Sequence, residues 1–154
     1  MDDDYESTAV ARVLQQLMGQ PTFYQLRTQE QLGYIVKGYV FQHKRVLHFA
    51  ILVQSSSKNA DYLEHRINEF LESYTKKEVA FEENDVETVK QALINKLKQK
   101  DMSLPEEAAG NWDSVIREET EFNAKEKMLD AYAKVKFEDV NALFMEVFSK
   151  IQGD

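Results

Sequence analysis

Two stretches of this sequence decide its fold: residues 34–41, Tyr-Ile-Val-Lys-Gly-Tyr-Val-Phe, and residues 46–53, Val-Leu-His-Phe-Ala-Ile-Leu-Val. Both are rich in β-branched and aromatic residues, which favour β-strands. The polar residues 42–45, Gln-His-Lys-Arg, lie between them and predict a turn. The second stretch is almost continuously apolar, so we expect it to be buried on both faces. The sequence therefore predicts a β-hairpin whose second strand lies inside the protein.

A helical pattern precedes the hairpin. Apolar residues recur at helical spacing over residues 10–17, as they do on the buried face of a helix. Ser7 is a candidate N-cap for this helix, and Gly19 predicts its end. A second, shorter helical stretch covers residues 22–31, and Gly33 then separates it from the first strand.

Helical patterns also fill the chain after the hairpin. Asn59 is placed to cap the first of these helices, and capping boxes begin at Ser103 and Asn123, each with Glu three residues later. Apolar stripes at helical spacing then mark the helices themselves: Leu63, Ile67, Phe70, Leu71 and Tyr74; Val86, Val89, Leu93 and Leu97; Ala108, Trp112, Val115 and Ile116; Met128, Leu129 and Tyr132; Val140, Leu143, Phe144, Val147 and Phe148.

These patterns predict an α+β fold, with a helix-rich layer on a small antiparallel sheet. A length of 154 residues suits one domain, which we place at residues 1–154. An isolated hairpin is only marginally stable in water, so either helices cover it or further strands come from elsewhere.

Composition argues against several classes of function. The formal net charge is −8, from 19 basic and 27 acidic residues, and nucleic-acid binding needs clustered Lys and Arg to contact phosphates. No run approaches the roughly 18 apolar residues of a membrane-spanning helix. We therefore expect neither nucleic acid nor a membrane as a partner. The chain has no cysteine and its acidic start resembles no signal or transit peptide, so we expect a cytoplasmic protein.

The sequence carries no self-contained catalytic motif. Its histidines are His43, His48 and His65, and none belongs to an H-E-x-x-H or H-x-x-E-H pattern. It also lacks the P-loop, the G-x-G-x-x-G motif and the nucleophile elbow. Paired glutamates such as Glu82-Glu83 fit solvated helix surfaces. We therefore assign no catalytic residue and no metal ligand to this chain.

One segment carries a family resemblance. Residues 26–36, Leu-Arg-Thr-Gln-Glu-Gln-Leu-Gly-Tyr-Ile-Val, resemble the signature Leu-Arg-Thr-x-Glu-Gln-Leu-Gly-Tyr-x-Val of the insulysin (insulin-degrading enzyme) and pitrilysin-type zinc metallopeptidases. In that family the signature lies in the last of four homologous domains. Looser similarity extends from about Glu6 to about Phe148, and it includes residues 53–55, 62–66, 91–93 and 111–112.

The resemblance implies a role in peptide hydrolysis without catalysis by this chain. The family's zinc site belongs to the first domain, so zinc is expected in the catalytic domain of the full enzyme and no cofactor here. The last domain is a non-catalytic copy of the same α/β unit and forms part of a chamber wall around the peptide substrate. The expected partners are therefore a peptide substrate and the N-terminal catalytic domain of the same enzyme.

The resemblance also assigns substrate-binding residues. The family's motif Arg and Tyr hydrogen-bond the substrate backbone near the scissile bond, and they correspond here to Arg27 and Tyr34. Arginine offers a rigid fork of donors and tyrosine offers one phenolic donor, and Gly33 would let the chain bend to aim the ring. The alternative is that Arg27 pairs with a local acid such as Glu30, while Tyr34 packs as a strand aromatic.

The resemblance also implies that the sequence is a truncated copy of the family domain, a fragment without its first and last strands. A truncated sheet exposes an edge, so we expect the fragment to self-associate by strand pairing or helix packing. The alternative function is a stand-alone, non-catalytic binding or scaffold module with the same fold. The net charge of −8 argues against anion regulation through this part of an enzyme.

Overall fold

A computed structural model describes residues 5–43, 46–76, 81–99 and 123–148. In these ranges the chain is helix-rich, with one two-stranded antiparallel sheet, and the predicted fold class is confirmed. The elements are helix α1 (Tyr5–Thr22), a π-helix (Phe23–Gln29), strands β1 (Ile35–His43) and β2 (Val46–Gln54), and helices α2 (Ala60–Thr75), α3 (Glu83–Lys98), α4 (Ala124–Lys134) and α5 (Phe137–Phe148). The predicted helix after Ser103 lies outside the described residues.

Helix α1 is longer than its sequence signals predict. It begins at Tyr5, so Ser7 lies inside it and is not its N-cap, and it continues through Gly19 and Pro21. Met18 and Thr22 are both fully buried, which holds this last turn in the core despite its two poor helix formers. Tertiary burial outweighs local propensity here.

The chain then widens into a π-helix instead of ending. The predicted helix over residues 22–31 is confirmed in place, but its hydrogen bonds follow the five-residue spacing of a π-helix from Phe23 to Gln29. The Glu30 N–H still donates to the Gln25 carbonyl at 3.0 Å. Segments of π-helix are rare and occur often at functional sites.

The hairpin forms where the sequence predicts it, with one face covered. Ile35 lies opposite Gln54 and His43 lies opposite Val46, so His43 belongs to β1 and not to the turn. The predicted burial of β2 on both faces is wrong. None of its nine residues is fully buried, and its burial alternates, with Val46 56% and Leu52 46% exposed. Helix α1 packs on the hairpin, mainly on β1, and leaves the other face to solvent.

The core lies among α1, the π-helix, β1 and the later helices, and the predicted apolar stripes of the described helices supply much of it. Its centre is aromatic. The fully buried ring of Phe144 lies 4.8 Å from Phe148, 5.4 Å from Phe81 and 6.3 Å from Tyr74, measured between ring centroids. Such pairs stabilise a core beyond the area they bury. The one described helix of 18 residues, α1, is too polar to cross a membrane, and the other described helices are shorter.

The predicted N-caps of α2 and α4 differ in outcome. The Asn59 side chain accepts a hydrogen bond from the Tyr62 N–H at 3.0 Å, so its predicted role as N-cap of α2 is confirmed. Asn123 precedes α4 with φ −106° and ψ 19° and makes no side-chain capping bond, so the predicted capping box there is wrong. An N-cap needs extended backbone to aim its side chain at the helix.

Gly33 joins the motif segment to the hairpin. A Cβ built on Gly33 would lie 2.1 Å from the Gln54 carbonyl oxygen, and that same oxygen accepts the Tyr34 N–H at 2.9 Å. Gly33 does not adopt a positive φ; the bend is made by Gln31, with φ 51°. Glycine is therefore needed here for close backbone approach and not for a left-handed turn.

We expect Gly33→Ala to lower the free energy of unfolding by about 2 kcal/mol or more, because backbone at the end of β2 must move to admit the methyl group. Gly19→Ala is the matched control. A Cβ on Gly19 meets nothing within 4 Å, and alanine is the better helix former, so this variant should gain about 0.5–1 kcal/mol. Urea denaturation measures both, and equal effects of the two substitutions would contradict the close-approach argument.

Candidate functional site

The motif segment is folded into a compact loop between α1 and β1. Leu26 and Leu32 are fully buried and anchor its two ends in the core. The Leu32 N–H donates to the Leu26 carbonyl at 3.0 Å, which closes the loop across six residues. The anchors therefore fix the backbone between them and leave Arg27 outside the core, close to Tyr34.

Arg27 and Tyr34 lie together on the open surface. The Arg27 Nε–H donates to the Tyr34 carbonyl at 3.2 Å, and the guanidinium carbon lies 5.9 Å from the centroid of the Tyr34 ring. Tyr34 is 83% exposed. The contact is a cation–π arrangement, in which Arg27 is half-buried and the Tyr34 ring stays exposed. Within the described ranges, no other hydrogen bond of the Arg27 guanidinium and none of the Tyr34 phenol is found.

Both structural alternatives for these residues are wrong. Glu30 binds Arg66 of α2 instead of Arg27: the Arg66 Nε–H donates to Glu30 Oε2 at 2.7 Å. Glu30 Oε1 accepts a second hydrogen bond, from Gln25 Nε2 at 2.8 Å. Tyr34 does not pack as a strand aromatic, since it precedes β1 and is mostly exposed.

The Glu30–Arg66 pair is the feature of this site that sequence reasoning missed. The Arg66 guanidinium holds the pKa of the Glu30 carboxyl below its usual value, and Glu30 in turn raises the pKa of Arg66. Arg66 also contacts Glu69, whose carboxylate lies 3.6 Å from His65 Nε2. One signal was present in the sequence: Glu30 is the single acidic residue between positions 7 and 60.

A cleft of about 390 Å³ borders this ion pair. Its wall combines aromatic rings with the paired charges: Tyr24, Gln25, Glu30, Arg66, Phe70 and Tyr74. Its described lining residues include no histidine, and the Ser73 hydroxyl among them donates to the Phe70 carbonyl. Arg27 and Tyr34 are not part of its wall.

The open face of the hairpin is apolar and begins beside Tyr34. Tyr39, Phe41, Val46 and Leu52 are all more than one-third exposed. The rings of Tyr39 and Phe41 lie 5.8 Å apart, and His48 stacks on Phe41 at 5.0 Å. Alternation along the strands places these side chains on the face opposite the buried Val36.

Charge is divided unevenly along the chain. Residues 7–60, which carry Arg27, Tyr34 and the hairpin, contain six Lys or Arg and one acidic residue, a formal net charge of +5. The remaining residues carry a formal net charge of −13, which gives the whole chain its net charge of −8. The net charge averages two parts of opposite sign, so it is a poor guide to what the site prefers.

The histidines do not form a metal site. His43 ends β1, His48 lies on β2 and His65 lies on α2. Across the described ranges, no three His, Asp or Glu side chains are grouped so that they could hold a metal ion. His48 is stacked on Phe41 and His65 is paired with Glu69, so these residues do not fit the zinc centre of a metallopeptidase.

Comparison with known proteins gives a consistent result. Residues 13–112 match the family described as PQQ synthase PqqF-like, C-terminal lobe domain 4. The chain is 32% identical over 143 residues to the putative zinc protease mug138 of Schizosaccharomyces pombe, covering 93% of this chain and 15% of that protein. It is 33% identical over 128 residues to Protease 3 of Salmonella typhi, covering 82% of this chain and 13% of that protein.

The structure supports the same relationship. The crystal structure of pitrilysin superposes with a TM-score of 0.80 and 26% sequence identity, covering 95% of this chain and 16% of the pitrilysin chain. The chain thus spans about one-seventh of the length of these relatives. With the family match covering well over half of its residues, the chain belongs to the PqqF-like C-terminal lobe domain of the pitrilysin and insulysin-type zinc proteases.

Proposed function

We propose that this chain is the substrate-positioning, non-catalytic domain of a pitrilysin-type zinc metallopeptidase. Another domain of the same enzyme would hold zinc and cleave the peptide, while this chain forms part of the wall of the chamber. The observation that carries the proposal is the placement of Arg27 and Tyr34 side by side on the open surface, with Tyr34 83% exposed.

Their chemistry suits a peptide backbone. The guanidinium has several N–H donors in a rigid fork, and the phenol adds one O–H donor. Carbonyl oxygens of an extended peptide are acceptors for both groups. When a carbonyl is attacked, negative charge develops on its oxygen, and prearranged donors stabilise that charge more than they stabilise the ground state.

The open face of the hairpin supports the role of chamber wall. Its exposed apolar side chains run along β1 and β2 from the end that carries Tyr34. A peptide gripped at Arg27 and Tyr34 would place its neighbouring side chains over Tyr39 and Leu52. Burial of apolar peptide side chains there would add binding free energy without strict sequence requirements.

In the full-length enzyme, we expect Arg27→Ala and Tyr34→Phe each to lower kcat/KM for a short fluorogenic peptide by about tenfold or more, because each removes a donor to the peptide backbone. Stopped assays or continuous fluorescence measure the effect. Zinc content should stay unchanged, since neither residue is a metal ligand.

Tyr62→Phe and Lys76→Ala are the matched controls, because Tyr62 is exposed on α2, Lys76 is exposed directly after it, and neither contacts Arg27 or Tyr34. Both controls should keep wild-type turnover. Unchanged hydrolysis in Arg27→Ala and Tyr34→Phe would reject the positioning role and favour a binding or scaffold module instead.

We also expect the isolated 154-residue chain to self-associate through β2. The Gln15 side chain of α1 already occupies the outer edge of β1, where its Oε1 accepts the Val40 N–H at 3.1 Å. In the described part of the chain no strand pairs with the outer edge of β2, and a free edge is a template for another strand. Light scattering at high micromolar concentration should give a mass above the monomer value of 17.9 kDa. A monomer mass across the full concentration series would overturn this expectation.

A further inference from the structure

The open face of the hairpin carries a single lysine and no acid. Strands β1 and β2 contain neither Asp nor Glu, and Lys37 is the only Lys or Arg among their residues. Its side chain is exposed. Within the described ranges, no hydrogen bond or ion pair of its ammonium group is found. The two strands therefore supply no counter-charge to this cation.

Apolar side chains surround Lys37 on this face. It lies directly opposite Leu52 in the strand register, and strand alternation places Ile35 and Tyr39 on the same side, two residues away in each direction. Leu52 is 46% exposed and Tyr39 is 38% exposed. The side chains of directly opposed residues are neighbours, and a lysine stem covers apolar surface while its ammonium group stays in water. A molecule that lies on this face thus meets apolar surface with one cation in its middle.

The one acid in this part of the sequence is already engaged. Residues 7–60 contain a single acidic residue, Glu30, and its two carboxylate oxygens bind Arg66 at 2.7 Å and Gln25 at 2.8 Å. While the face is open to water, Lys37 needs no counter-charge. Once a bound segment covers it, the ammonium group loses water, and a carboxylate is the partner that offsets this loss.

Lys37 also lies at a defined distance from the proposed grip on the peptide backbone. It follows Tyr34 by three residues, and β1 begins at Ile35, so about 10 Å of extended chain separates the two residues. A peptide in extended conformation advances by the same distance in three of its own residues. A peptide held at Arg27 and Tyr34 that continues along β1 therefore brings one particular side chain to Lys37.

We propose that Lys37 determines substrate specificity by binding a Glu or Asp side chain about three residues from the peptide carbonyl held by Arg27 and Tyr34. The preferred substrates are thus peptides with an acidic side chain flanked by apolar ones, which contact Tyr39 and Leu52. A peptide with Lys or Arg at the same position is disfavoured, since like charges would meet on a surface whose strands carry no acid. This inference rests on the proposed function, because it names a preference of the same chamber wall.

The test measures the preference of the full-length enzyme for one peptide residue. Fluorogenic peptides that differ only by Glu, Gln or Lys at a single position are assayed, and that position is moved along the peptide on both sides of the scissile bond. At one position, the wild-type kcat/KM for the Glu peptide should exceed that for the Lys peptide by about five- to tenfold. Lys37→Gln should abolish this preference and Lys37→Glu should reverse it. The kcat/KM for the uncharged Gln peptide should change by less than about threefold in either variant.

Lys76→Glu is the matched control, because Lys76 is exposed directly after α2 and the substitution changes the net charge by the same amount outside the hairpin. It should keep the wild-type preference. Raising the ionic strength should weaken the preference of the wild-type enzyme and leave Lys37→Gln unchanged, because salt screens an exposed ion pair. If Lys37→Glu fails to fold, the loss of preference in Lys37→Gln still decides the question.

The outcomes separate this inference from the proposed function. If Arg27→Ala lowers turnover but the wild-type enzyme shows no preference for Glu, or Lys37→Glu retains it, the specificity role of Lys37 is wrong while the proposed function stands. A second copy of the chain or another domain that covers this face would give that same result, which rejects contact with the peptide. If Lys37→Glu reverses the preference while Arg27→Ala and Tyr34→Phe have no effect, the hairpin contacts the substrate and the proposed positioning role fails.

Discussion

The approach of Gly33 to the carbonyl of Gln54 is the constraint on which the rest of the site depends. A side chain at position 33 would meet that oxygen at 2.1 Å, so only glycine lets the motif segment lie against the end of β2. The same oxygen accepts the Tyr34 N–H, which fixes where β1 begins. Tyr34 is therefore directed outward by a backbone contact, before any contact of its own ring.

The burial of two leucines is the second constraint on the site. Leu26 and Leu32 are buried on either side of the exposed residues, and burial of two leucines contributes several times the free energy of a surface ion pair. This arrangement lets the segment between them carry a π-helix and a left-handed Gln31 without unravelling. A rigid base with exposed polar side chains would suit the peptide-backbone binding proposed for this site.

The electrostatics of the site depends on where the charged residues lie along the chain and not on the total charge. The acidic chain concentrates its negative charge outside residues 7–60, and the one acid inside that range is committed to Arg66. The site thus presents an arginine with no described carboxylate bound to it. An expectation built on the net charge of −8 overlooks this local excess of positive charge, because interactions between exposed charges fade within about 10 Å.

Much of this protein's fold, and its family, could be predicted from the sequence alone. Strand propensity located the hairpin, helical periodicity located the described helices, and the contiguous motif over residues 26–36 identified the family and pointed to Arg27 and Tyr34. These features are local, since a few neighbouring side chains suffice to specify them. Local signals misled where distant burial outweighed them, as when α1 continued through Gly19 and Pro21 because Met18 and Thr22 are packed in the core.

Only the tertiary structure decided which charges meet and which faces stay open. An Arg27–Glu30 pair was the local alternative, yet Glu30 binds Arg66, 36 residues away, because the packing of α2 brings that guanidinium to 2.7 Å. In the same way β2 reads as a strand buried on both faces, yet the described helices cover one face only. A sequence specifies what each residue prefers, whereas partners and exposure follow from how the elements pack in three dimensions.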